Sequence, residues 1–241
     1  MAIDYFGRPP AASFRELVAT HRDVLWIEDR AQALDPGAPA WGDVVLYSPR
    51  KLIGVADGGV LVADGDLPAE PADRETPAGL WVPQLARLED PDGARPETWF
   101  PASQARENAF AVSRAGMSPL TRRLLVGLAI APEAEARRRN YAVLAGHLAP
   151  HALWPDLTSP SFAPLAFPIL AADCAGLAQR LAEQRIFCAT HWADLPSPPE
   201  AFPEAHRIAA HCLSIPCEPR YSSQEMHCVG EAVRAALDGR T

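Results

Sequence analysis

Lysine is all but absent from this 241-residue chain: of 22 basic side chains, 21 are arginine, leaving Lys51 alone. Arginine stays protonated and is a poor nucleophile, whereas a lysine amine can lose its proton and attack a carbonyl to form a Schiff base. Lys51 is either a survivor with a job that arginine cannot do or a lysine that escaped replacement, and its neighbourhood decides. Long apolar runs are missing too, so nothing reaches the roughly 18–20 residues a membrane helix needs. Met1-Ala2-Ile3-Asp4-Tyr5 has neither the basic nor the apolar region of a signal peptide. The five cysteines (174, 188, 212, 217 and 228) lack C-x-x-C spacing, and an odd count without a secretion signal predicts reduced thiols in the cytoplasm. His211, Cys212 and Cys217 could be grouped on a metal, but Cys212-Leu-Ser-Ile-Pro-Cys217 reads better as a buried strand, and no metal is expected. A net charge of −8 argues against nucleic-acid or anionic-membrane partners. The one basic run, Arg137-Arg138-Arg139, follows Glu133 and Glu135 and is expected on a solvated helix face.

What the chain does contain is an alternation of apolar bursts and amphipathic stretches, which predicts an α/β protein. A helix is expected over residues 12–21. Strands are expected at Val24-Leu25-Trp26-Ile27, at Val44-Val45-Leu46-Tyr47 and at Gly59-Val60-Leu61-Val62. The first is followed by Glu28-Asp29 and the second by Ser48, and in open α/β sheets ligands bind at the carboxyl ends of strands. Residues 65–101 read as an irregular connection with a short helix near 80–88, followed by a helical region over 104–130 broken near Met117-Ser118-Pro119 and a helix over 133–148. The last third predicts strands at 165–170, 185–189 and 213–216 and helices at 173–184, 204–211 and 223–237.

Around Lys51 the groups required by one cofactor come together. Pyridoxal phosphate needs an amine for its aldehyde, an anion beside its pyridine nitrogen, and hydroxyl or N–H donors for its phosphate. Glu28-Asp29-Arg30-Ala31-Gln32 offers the anion, and Ser48-Pro49-Arg50-Lys51 the hydroxyl and the amine. Partial burial would favour the free amine. Local alternatives exist for each: Asp29 as a cap, Gln32 as a loop hydrogen-bonder, Ser48 as a turn former.

The stretch WIEDRAQAL…GDVVLYSPRKLIGVADGGVLV resembles the core of the DegT/StrS-type sugar aminotransferases, which are fold-type I pyridoxal phosphate enzymes. MSPLTRRLL, EARRRNYAVLAGHL, RIFCATHWADLP and LSIPCEPRYSSQEMHCVGEAV resemble later parts of the same family. The resemblance implies part of a three-layer αβα cofactor domain over residues 1–130 and a small α/β domain over 131–241. It implies Lys51 as the Schiff-base lysine and proton carrier, Asp29 at the pyridine nitrogen, Gln32 against the ring and Ser48 on the phosphate. The implied reaction is transamination of a keto-sugar, nucleotide-linked, with an amino-acid donor, in a cytoplasmic homodimer. The His191-Trp192 turn matches a family motif and is expected to pack rather than to catalyse.

Two departures accompany the resemblance. Family members carry residues before the strand matched by Met1–Gly7, including a phosphate-gripping turn, an aromatic that stacks on the ring, and several strands. A late start site, a separately encoded first half and a shortened, inactive homologue acting as a partner subunit all remain open. In addition, Ser48 and Lys51 are only three apart, a short spacing for the family, and Arg50 is a second source of phosphate charge.

Overall fold

The computed structural model describes residues 1–67, 74–109, 115–192 and 194–239. The chain divides into two compact units. One gathers Met1–Asp4, Pro10–Gln32 and Ala40–Ala129, and the other Tyr5–Pro9, Ala33–Pro39 and Ile130–Thr241.

In the first unit the apolar bursts become one four-stranded sheet, in the order β1 (Ala2–Ile3), β2 (Ile27–Asp29), β3 (Val44–Tyr47) and β4 (Val60–Ala63). The first three strands are parallel, with Ile3 beside Asp29 and Asp29 beside Leu46, while β4 runs antiparallel to β3. Helix α1 (Ala12–Thr20) lies between β1 and β2 in the chain, as a parallel pair requires. The strand expected at 24–27 is displaced towards its acidic end. Asp43 accepts the backbone N–H of Trp26 at 2.8 Å and the His21 carbonyl accepts its indole N–H at 3.0 Å, so the chain enters the ladder only at Ile27. Leu25 is 67% exposed as a result. On β4, Val60, Leu61 and Val62 are all exposed, although they point alternately to the two faces of the sheet.

The expected helix near 80–88 is α2 (Val82–Leu88), which follows β5 (Arg74–Glu75) in the chain; β5 pairs with β6 (Ala115–Gly116) in a short two-stranded ladder. The helical region expected over 104–130 is two helices, α3 (Phe100–Asn108) and α4 (Pro119–Gly127); its residues 110–114 lie outside the described residues. The break has a local cause. Ser118 is extended, at φ −60° and ψ 148°, and its hydroxyl caps α4 by accepting the Thr121 N–H, with Pro119 at the first helical position.

The second unit packs helices on an antiparallel sheet. Helix α5 (Ile130–Leu148) precedes β7 (Ala166–Leu170), α6 (Cys174–Glu183), β8 (Ala189–Thr190), α7 (Pro203–His211), β9 (Cys212–Pro216) and α8 (Ser223–Leu237). The cysteine-bounded stretch forms β9, the central strand between β7 and β8. Its Leu213 and Ile215 bury against Leu144 and Leu148 of α5, Leu177 of α6 and Met226 of α8. Each such side chain contributes about 1.5–3 kcal/mol relative to exposure. Arg185 and Ile186 of the expected strand close α6 instead, and the ladder begins only at Ala189. Arg185 adopts φ 63°, with Ile186 N–H on the Leu181 carbonyl and Arg185 N–H on that of Ala182, a Schellman ending with arginine in glycine's usual place. The arginine run also departs from expectation. Arg137 is buried and donates to the Pro164 and Leu165 carbonyls, Arg138 bridges Asp35 and Glu135, and Arg139 alone is exposed.

Candidate active site

Strand alternation sorts the charged sequence Glu28-Asp29-Arg30 onto the two faces of the first sheet. Asp29 shares one face with Ile3 and Leu46, its register partners on β1 and β3. Glu28 and Arg30 share the other face with Asp4 and Tyr47. Because β2 and β3 are parallel neighbours, Asp29 and Ser48 end adjacent strands at the same edge, and Lys51 follows on a short 3₁₀ turn, Pro49–Lys51. This places three of the four candidate residues at one sheet edge.

The front of that edge has groups left over. One Asp29 oxygen accepts the Ala31 N–H at 2.8 Å, so the capping alternative is realised with Oδ1 while Oδ2 has no partner among the described residues. The Ser48 hydroxyl makes no cap bond to the turn it precedes, although its carbonyl accepts the Lys51 N–H at 3.1 Å. The Lys51 amine is exposed and has no ion-pair partner among the described residues, so the expected partial burial is not supplied by them. Gln32 is buried just beyond the edge. Arg50 is committed elsewhere: its Nη1 donates to both oxygens of Glu107, at 3.0 and 2.8 Å. Burial pushes the Glu107 carboxyl up, but hydrogen bonds from Arg50 and Arg106 outweigh it and hold the group below its ordinary value.

The rear face holds a charged cluster to which sequence reasoning assigned no role. Glu28 is wholly buried; Oε1 pairs with Arg30 Nε at 2.5 Å, and Oε2 accepts the N–H groups of Trp41 and Gly42 at 2.8 and 3.1 Å. A Cβ at Gly42 would stand 2.7 Å from that of Glu28, so glycine permits this approach. Arg30 also donates to the Tyr47 hydroxyl at 3.1 Å and lies 3.7 Å from Asp4. Opposite charges two apart on one strand were the available sequence signal, since residues i and i+2 share a face.

Behind the turn into β4, buried Asp57 accepts the Ser118 N–H and hydroxyl and the Thr121 hydroxyl, tying the turn to the start of α4. In the other unit, the His191-Trp192 turn packs as expected. Trp192 stands edge-on to Tyr5 and Phe6 at 4.8 and 5.5 Å between ring centroids, and His191 lies 5.8 Å from Phe6.

Neither a family model nor a curated protein matches the sequence. Solved structures do. A DegT/DnrJ/EryC1/StrS aminotransferase from Brucella abortus superposes at a TM-score of 0.60 with 18% identity, over 98% of this chain and 63% of its own. DesV of S. venezuelae, solved with a ketimine intermediate, gives 0.59 and 21% over 96% and 63%. The Streptococcus pneumoniae protein Spr1654, in its PMP form, gives 0.65 and 13% over 99% and 69%. The fold is that of the DegT/DnrJ/EryC1/StrS aminotransferases. At these identities the likeness is one of fold. The chain spans less than two thirds of the Brucella and S. venezuelae aminotransferases, so more than a third of the length of each has no counterpart here.

Proposed function

We propose that the chain acts as a pyridoxal phosphate-dependent aminotransferase on a keto-sugar, nucleotide-linked, with an amino-acid donor. The observation that carries the reading is the convergence, at one edge of an aminotransferase-fold sheet, of Asp29, Ser48 and the lone lysine. These residues fit the cofactor chemically: an amine, one carboxylate oxygen and a hydroxyl that have no partner among the described residues. The fit is weakest at the phosphate, where Ser48 is the candidate donor among the described residues and Arg50 pairs with Glu107.

Pyridoxal phosphate, when bound, supplies a carbonyl for amines and a ring that accepts an electron pair. Lys51 would hold that carbonyl through Nζ and, once displaced by substrate, take and return the proton at the substrate carbon. Asp29 Oδ2 would face the ring nitrogen and keep it protonated, Gln32 would lie against the ring, and Ser48 Oγ would donate to the phosphate. Residues 1–130 would then serve cofactor binding and 131–241 form the small domain, in a cytoplasmic homodimer.

The donor half-reaction tests this without knowledge of the sugar. Protein loaded with pyridoxal phosphate should release 2-oxoglutarate from L-glutamate, and Lys51→Ala should release none. If the wild type consumes none of a panel of amino acids, transamination by this polypeptide is ruled out. A second reading, a non-catalytic subunit acting by protein binding, draws on exposed Val60, Leu61 and Val62 of β4. It predicts a stable complex with another polypeptide and no turnover.

A further inference from the structure

Asp4 stands at the end of β1 as one of two wholly buried carboxylates beside a single guanidinium. Among the described residues neither of its side-chain oxygens is engaged in a well-formed hydrogen bond, and the Trp41 indole N–H, itself without one, faces it. With Glu28 paired to Arg30 at 2.5 Å and Asp4 only 3.7 Å from the same Nε, the cluster is neutral when Asp4 is protonated. An ionised Asp4 would put an uncompensated negative charge into the protein interior, which is costly. Burial first, and then the Glu28 charge, push its carboxyl up to about 7 against the pull of Arg30. The groups that face it are Glu28 and Arg30 on β2 and Trp41 before β3; Tyr47 on β3 is joined through Arg30.

The same residue holds Asp29 by its backbone. The Asp4 N–H donates to the Asp29 carbonyl at 2.9 Å, and the next N–H, of Arg30, donates to Leu46 at 2.8 Å. The Asp29–Arg30 peptide is therefore clamped from both neighbouring strands, with Asp29 on the front face and the charged cluster behind it. We propose that Asp4 is a positioning residue for Asp29: its protonated form keeps the rear cluster neutral and the β1–β2 edge closed, and its ionisation loosens the clamp. The proposal rests on the reading of Asp29 as the ring-nitrogen partner, but it concerns a coupling that exists without cofactor.

The test uses carbon-13 NMR of aspartate carboxyls in the cofactor-free 241-residue chain. Asp4 should titrate near neutrality, and the Asp29 carboxyl should show a second inflection at the same pH. Asp4→Asn, the neutral mimic, should abolish that inflection while Asp29's own titration remains. In urea, the wild-type ratio of folded to unfolded protein should fall as pH rises from about 4 to about 7, because the native state holds a proton that the unfolded chain releases, and Asp4→Asn should lack this fall. With pyridoxal phosphate, the ratio of wild-type to Asp4→Asn affinity should fall by about tenfold or more across neutrality, one unit of differential pKa, because pH effects common to both proteins cancel in that ratio. An Asp29 response that persists in Asp4→Asn, or an Asp4 that titrates as an ordinary exposed aspartate, overturns the proposal. Absence of cofactor binding at every pH sinks the proposed function, and the NMR result then decides the coupling by itself.

Discussion

Asp57→Ala removes the acceptor that joins the turn before β4 to the first turn of α4. The carboxylate accepts the Ser118 N–H at 2.6 Å and the Ser118 hydroxyl at 2.8 Å, and also accepts the Thr121 hydroxyl. All three residues are buried. After the substitution the Ser118 hydroxyl can turn to Thr121 Oγ1, 3.1 Å away, and still cap the helix through the Thr121 N–H. The Ser118 N–H and the Thr121 hydroxyl proton are left as two buried donors without an acceptor. At about 1–3 kcal/mol each, and with some relaxation, the loss should be about 2–4 kcal/mol. Asp57→Asn keeps one acceptor oxygen and should lose about half as much. Urea titration followed by tryptophan fluorescence measures both, and Trp81, whose indole N–H reaches Ser118 Oγ at 3.4 Å, reports from the same cluster. An alanine variant within about 0.5 kcal/mol of wild type, or an asparagine as costly as the alanine, would refute the reasoning.

The other expected outcomes concern the second unit. Gly230→Ala would set a Cβ 2.7 Å from the His147 ring, and forcing α5 and α8 apart should cost about 1–3 kcal/mol, measurable as a lower denaturation midpoint. The His147 ring is hydrogen-bonded to His227 at 2.9 Å; burial first, then His227 and Arg234, hold it below its ordinary value of 6.5, so the native state resists its protonation. That contribution is present above 6.5 and is lost as pH falls through the lowered value, so His147→Gln should flatten the acid limb of a stability–pH curve. Burial pushes the thiols of Cys188 and Cys217 up to about 12 and that of Cys212 to about 11, while Cys228 is exposed. A disulfide reagent at pH 8 should titrate Cys228 rapidly in native protein and all five thiols after unfolding; rapid reaction of Cys217 in native protein would contradict the buried β9.

Much of the fold was legible because it follows periodicity. Strand β3 spans the predicted residues, and α8 begins where Ser222 and Glu225 form a capping box. Strand β2 was misplaced because hydrophobicity marked Val24 and Leu25, whereas a side chain seventeen residues away, Asp43, decided where the ladder starts. Arg137 was read as solvated because a run of three arginines carries no sign that one of them will find two carbonyls from the segment before β7. At the candidate site, the lone lysine and the strand-end aspartate and serine were visible in the sequence. In the rear cluster only the Glu28–Arg30 pair carried a signal; the rest depends on Asp4 lying beside β2, a contact between residues more than twenty apart.

The most direct test of the central claim is reduction of the chain with borohydride in the presence of pyridoxal phosphate, followed by peptide mass mapping. The account predicts a pyridoxyl adduct on Lys51, absent in Lys51→Arg and weakened in Asp29→Ala. An adduct confined to the amino terminus, or none, would contradict a cofactor site at the edge formed by β2 and β3.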